Sequence, residues 1–173
     1  MEAFCSVLNN VDGQIIGLQY QGKFSRELLE GLEDKVQYFM DHKLVLVVPI
    51  DFQTVSVLDH EHDSYPFLRL MINEDFPNLI DGRNNRLLDE LSQRYKLWLG
   101  NLGSGARTNL IAVMEGCFDG LILDTAFTAG NRDKAIFQAV LNEMNKYTNN
   151  LILPGINTGR YRPVRLKHIE KLM

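Results

Sequence analysis

The feature that most constrains the fold is a series of short, continuously apolar runs. The sharpest is LVLVVPI at residues 44–50. A strand wet on one face alternates polar and apolar residues, whereas a run that is apolar at successive positions belongs to a strand buried on both faces. YPFLRLMIN (65–73), KLWLGNL (96–102), FDGLILDTAF (118–127) and NNLILPGIN (149–157) repeat the pattern. Helical stretches separate them. SRELLEGLEDKVQYFMDH (25–42) has Ser25 as a cap and Leu28, Leu29, Leu32, Val36 and Phe39 on one face. A short helix is expected around FQTVSVL (52–58), and further helices at NNRLLDELSQRY (84–95, capped by Asn84 or Asn85) and RTNLIAVMEG (107–116). NRDKAIFQAVLNEMNKYT (131–148) is expected to be a long helix with Ile136, Ala139, Val140 and Met144 inward. Ahead of all this, AFCSVLNN and QIIGLQYQ flank the turn signal VDG, which predicts an antiparallel hairpin. Alternating strands and helices make parallel strands with covering helices, as a barrel or as an open sheet.

A chain of 173 residues suits one domain, here taken as residues 1–173. The net charge of −4 does not advertise nucleic-acid binding. The tail TGRYRPVRLKHIEKLM concentrates Arg160, Arg162, Arg165, Lys167 and Lys171 against Glu170; it reads as a solvated last helix, with a phosphate or acidic-partner patch as the competing reading. Cys5 and Cys117 lie far apart with no CxxC spacing, as expected of reduced thiols in the cytoplasm. No signal peptide is visible, and no apolar stretch approaches the roughly 18 residues of a membrane span.

Three glycines, Gly100, Gly103 and Gly105, end the KLWLGNL run where a nucleotide-binding protein would cradle phosphates. The spacing Gly100–Gly105 suits a P-loop, but Ala106 and Arg107 follow in place of the lysine and hydroxyl. GxGxxG is not met either. A tight strand-to-helix turn is the better local reading. His42, His60 and His62, with the acidic residues around them, do not form HExxH and read as a solvated loop. Cys117 reads as a core thiol.

Six segments, taken in order, resemble the EAL domain, the barrel of cyclic di-GMP phosphodiesterases. IIGLQYQGKF stands where that family has its GxEALxR-type strand, and LVLVVPIDFQTV where a strand ends in Asn-x-x-Pro. FLRLMINEDF is similar to the LEITES strand, LWLGNLGSGARTNL to the LDDFGTGYSSL strand and loop, FDGLILDTAF to FDxLKID, and LILPGINT to VAEGVET. The resemblance runs from about residue 4 to residue 158 and implies an α/β fold, a modified TIM barrel with an N-terminal hairpin. The family's later strand and helix have no counterpart in the tail, so the barrel is expected to be incomplete at its C-terminus.

Carried over position by position, the resemblance puts Gln19 at the signature glutamate and Lys23 at the arginine after it. Pro49 falls at the asparagine ligand, Met71 at the LEITES glutamate, Gly100 and Asn101 at the aspartate pair, Ile122 at the lysine and Pro154 at the last glutamate. Only Glu74 and Asp124 remain as acids. Two divalent ions need several charged oxygens. The resemblance therefore implies no catalytic site, no metal and no cofactor; cyclic di-GMP binding is not expected. The alternatives are a non-catalytic cyclic di-GMP receptor and, last, an active phosphodiesterase.

The stretch from residue 65 to residue 106 is similar, beyond framework positions, to a catalytically dead EAL subgroup of enteric bacteria. Its members bind the FlhD subunit of the flagellar master activator FlhDC and repress motility. The resemblance thus implies FlhD/FlhDC as the partner, with neither nucleic acid nor membrane contacted directly. DGRNNR (81–86) is polar and shared with that subgroup, so Arg83, Asn84 and Arg86 are the candidate partner-binding residues; a helix cap with solvated arginines is the competing reading.

Overall fold

The computed structural model describes residues 3–55, 58, 65–105, 110–155 and 163–172. β1 (Phe4–Asn9) and β2 (Ile15–Tyr20) form the expected antiparallel hairpin, turned at Gly13. Ser25 caps α1 (Arg26–Glu30) by accepting the Leu28 N–H at 3.1 Å. The single helix expected over 25–42 is instead broken at Gly31: a 3-10 turn, Glu33–Lys35, leads into α2 (Val36–Asp41). β3 (Val45–Pro49), α3 (Phe52–Val55), β4 (Leu68–Asn73), a 3-10 segment (Leu79–Asn84), α4 (Arg86–Arg94) and β5 (Leu97–Leu102) follow. After them come α5 (Ile111–Met114), β6 (Gly120–Leu123), α6 (Thr125–Asn131), α7 (Ala135–Met144), β7 (Leu151–Ile152) and β8 (Val164–Arg165), which ends in a 3-10 turn, Leu166–Lys171.

The eight strands make one sheet in the order β7-β6-β5-β4-β3-β2-β1-β8, parallel from β2 to β7. Among the described residues β7 and β8 are its margins and do not pair with each other. Alternation sorts the side chains to two faces. Leu18, Leu46, Leu70, Leu97, Leu121 and Leu151 belong to the large core beneath the helices. Leu8, Val47, Met71, Trp98, Ile122 and Ile152 form a second cluster, each no more than 6% exposed. The described helices pack against the first face. The second buries itself, which requires the sheet to curl.

The end of the sheet where β4 and β5 begin is closed by a polar knot. Arg69, 8% exposed, donates from Nε to Asp119 Oδ2 (3.1 Å) and from Nη1 to the Pro66 and Leu68 carbonyls (2.8 and 2.9 Å). Trp98 Nε1 reaches Asp119 Oδ2 at 3.4 Å, and Thr148 and Asn150 side chains donate to the Asp119 carbonyl. A buried guanidinium is tolerated because a carboxylate and two carbonyls replace its hydration.

Three further expectations are corrected. The run 118–127 is strand only to Leu123; Asp124 then caps α6 by accepting the Phe127 N–H at 2.8 Å. In α7 the inward residues are Phe137, Leu141 and Met144, whereas Ile136 is 68% exposed and Ala139 is exposed too. Phe137, Leu141 and Met144 fall at i, i+4 and i+7, so the buried stripe runs through the bulkier Phe137 and Leu141 and turns Ile136 to the surface. The tail is not a solvated helix where it is described. β8 pairs antiparallel with β1, Ile169 and Leu166 are buried, and Glu170 accepts from Lys35 Nζ at 2.9 Å. His60, His62, Ala106, Arg107, Arg160 and Arg162 lie outside the described residues.

The α7 correction has a direct test. Leu141→Ala is expected to cost about 2–5 kcal/mol in urea unfolding, and Ile136→Ala to stay within about 0.5 kcal/mol. Equal costs would restore the original inward stripe.

Candidate functional site

The mouth of the curled sheet lies at the C-terminal ends of its parallel strands, where sites of such folds are built. Gln19, Pro49, Met71, Gly100 and Ile122 all fall on the inner face, each alternating with residues of the outer core. Met71 and Ile122 are members of the inner apolar cluster. Pro154 follows β7 two residues after Ile152, in a turn. Asn101 leaves the face: it is exposed, with φ of 54°, at an irregularity in the β5–β6 ladder. The structure thus brings five of the seven positions to one face of the strands and sets Asn101 and Pro154 outside them.

What these side chains offer is a thioether, a sec-butyl group, a proline ring, a bare Cα and one half-buried carboxamide. Divalent magnesium or manganese calls for several hard, charged oxygens. The donor set on this face does not fit a pair of such ions. Among the described residues no group of three or more His, Cys, Asp and Glu side chains is placed to hold a metal. The reading from sequence overlooked Asn73, which ends β4 on this face. Its Oδ1 is buried without a hydrogen-bond partner, and it pairs in register with Gly100. Its place at the end of an apolar strand was the available signal.

The two acids left over are both engaged with the backbone. Glu74 accepts the Gly103 N–H at 3.1 Å and the Ser104 hydroxyl at 3.2 Å, fastening the glycine loop to the end of β4. Asp124 caps α6. The glycines have separate reasons. A Cβ on Gly100 would sit 2.6 Å from Met71 Sδ, and Gly103 has φ of 95° with the Phe127 ring 2.7 Å from where its Cβ would be. The loop is a tight turn clamped by a carboxylate.

The DGRNNR segment sits beside α5. The Arg83 N–H donates to Glu115 Oε2 at 2.6 Å, its Nε to the Glu115 carbonyl at 2.9 Å, and its guanidinium lies 3.5 Å from Asp89. Arg86 pairs with Glu90 at 3.0 Å and projects outward. Asn84 is exposed; the cap of α4 is Asn85, whose Oδ1 accepts the Leu88 N–H. Ile80, Ile111 and Met114, 62%, 44% and 54% exposed, stand on the same two elements. Both cysteines are buried thiols, and burial pushes Cys5 up to about 12.

A curled α/β sheet, parallel from β2 to β7 and begun by an antiparallel hairpin, defines a class: an EAL-like fold. No family model matches the chain. It is similar to YdiV of Escherichia coli strain K12, 35% identical over 162 residues that cover 87% of this chain and 67% of that protein. It is also similar to the anti-FlhC(2)FlhD(4) factor YdiV of Salmonella typhimurium strain LT2, 32% identical over 142 residues, 76% of this chain and 60% of that one. The chain spans between three fifths and two thirds of the length of these curated relatives. Among solved structures it is similar to the crystal structure of the EAL-like domain protein YdiV, with a TM-score of 0.83 and 25% identity over 99% of this chain and 95% of that one. The EAL domain protein of Listeria monocytogenes EGD-e shares the fold, at a TM-score of 0.59 and 15% identity over 98% and 91% of the two chains. The chain belongs to the YdiV family of EAL-like proteins.

Glu74→Ala is expected to free the glycine loop, raising amide exchange at Gly103 and Ser104 and costing about 1 kcal/mol of stability. Unchanged protection at those amides would remove the clamp.

Proposed function

We propose that this chain is a non-enzymatic anti-activator: a single EAL-like domain, residues 1–173, that binds the FlhD subunit of an FlhC(2)FlhD(4)-type activator in the cytoplasm and represses flagellar genes. The reading is carried by the likeness to YdiV relatives named as anti-FlhC(2)FlhD(4) factors. The inner face supports it. Met71, Ile122 and Pro49 supply no charged oxygen where a dinuclear phosphodiesterase would need one, so binding rather than hydrolysis is the chemistry left to the scaffold. We take Gln19, Pro49, Met71, Gly100, Asn101, Ile122 and Pro154 as the vestiges of the family's ligand and catalytic positions. No described helix is long and apolar enough to cross a membrane.

For the partner surface we propose the 3-10 segment and α5, with Arg83, Asn84 and Arg86 at the contact. Exposed Ile80, Ile111 and Met114 beside them support the choice, because apolar tips among charged residues are common at protein interfaces. Both arginines already have acidic neighbours, so their part is orientation more than net attraction.

Size-exclusion chromatography with light scattering on the chain mixed with FlhD is expected to show a stable complex. A folded chain that elutes alone would overturn the reading. Alanine at Arg83, Asn84 and Arg86 together is expected to weaken that complex at least about tenfold, or ~1.4 kcal/mol. An unchanged affinity would move the interface elsewhere without touching the function. Calorimetric titration with cyclic di-GMP and manganese is expected to give no binding heat; micromolar binding would favour the receptor reading.

A further inference from the structure

The Arg69 side chain has a donor to spare. Its Nε and Nη1 are fully used by Asp119, Pro66 and Leu68, but Nη2 meets no acceptor among the described residues. Nη2 is not among the atoms sealed from solvent without a partner. Arg69 lines a concavity of about 370 Å³ at the starts of β4 and β5, away from the mouth. Tyr65, Ser92, Arg94, Tyr95 and Lys96 line it as well. Among the described residues no acidic side chain is in that lining; Asp119, behind it, already receives Arg69 and Trp98, and Asp89 receives the Gln93 amide. Lys96 is exposed and has no acidic partner among the described residues. The Arg94 guanidinium lies over the Tyr95 ring at 5.3 Å and donates to its hydroxyl at 3.4 Å.

We propose that this concavity is a binding site for a small oxyanion, a phosphate ester or a carboxylate, held by Arg69 Nη2 and Lys96 with Tyr95 at the rim. The last turn of α4 presents carbonyl groups here, which accounts for a cation such as Arg94 by itself. It does not account for a nearly buried guanidinium held rigid on two sides and open on the third. A fixed planar donor beside a free ammonium is what charge-assisted oxyanion recognition requires. The volume is that of a small-molecule site rather than a protein groove. This site is independent of the anti-activator reading, lying on neither the mouth nor the DGRNNR segment.

The test is an amide NMR titration of the whole chain with sodium phosphate, then separately with sodium acetate, at constant ionic strength. Saturable shifts confined to residues 65–69 and 92–96 are expected. Tighter phosphate binding identifies a phosphate ester as the natural ligand, and tighter acetate binding a carboxylate. Arg69 variants are liable to unfold, so the decisive variant is Lys96→Gln, which is expected to keep the fold and weaken binding about fivefold. Lys167→Gln, on the tail, is the control and is expected to leave binding unchanged. Absence of saturable shifts, or equal affinity in Lys96→Gln and the unaltered chain, would overturn the proposal.

Discussion

Everything in this molecule depends on a sheet face that no described helix covers. Leu8, Val47, Met71, Trp98, Ile122 and Ile152 come from six strands and are nearly sealed from water. Leaving six such side chains wet would forfeit about 1.5–3 kcal/mol each. The face satisfies itself only by curling until the strands cover one another, and Trp98, the largest fully buried side chain, sits within it. Curling then fixes the rest. It directs the C-terminal strand ends to a common mouth, and it brings Arg69, Trp98 and Asp119 together at the other end of the sheet, where one carboxylate serves both a guanidinium and an indole.

This shows why the fold was legible and where it was not. Continuous apolar runs are decided by local chemistry, and each of the five marks a strand core in its expected place. The resemblance carried over positions that the structure sets on one face, Gln19, Pro49, Met71, Gly100 and Ile122, because alternation along a strand is kept whatever side chains it carries. Helix breaks were less legible. Gly31 permits a change from α to 3-10 that composition does not force, and Asp124 was read as strand because its role as a cap depends on where the ladder ends. The tail was misread for a different reason. Its charges suggested solvent, but Leu166 and Ile169 find a core only once the β1 edge is present to receive them. The spare nitrogen of Arg69 is invisible to pattern, since it is defined by what it fails to touch, whereas Asn73 at least stands out as the polar end of an apolar run.

Glu74 and Asp124, the two remaining acids, fasten the strand ends to their neighbours. In a metal centre, carboxylates on neighbouring strand ends repel one another until a cation joins them, and the cation thereby fastens the loops. Here Glu74 takes a backbone N–H and a hydroxyl from the glycine loop, and Asp124 takes the Phe127 N–H in the first turn of α6. Phe127, from that same helix, lies against Gly103. Loop, strand end and helix are therefore tied to one another by direct bonds and one aromatic contact. These ties hold the glycine loop against both the end of β4 and the first turn of α6, so the three elements are fixed as one unit.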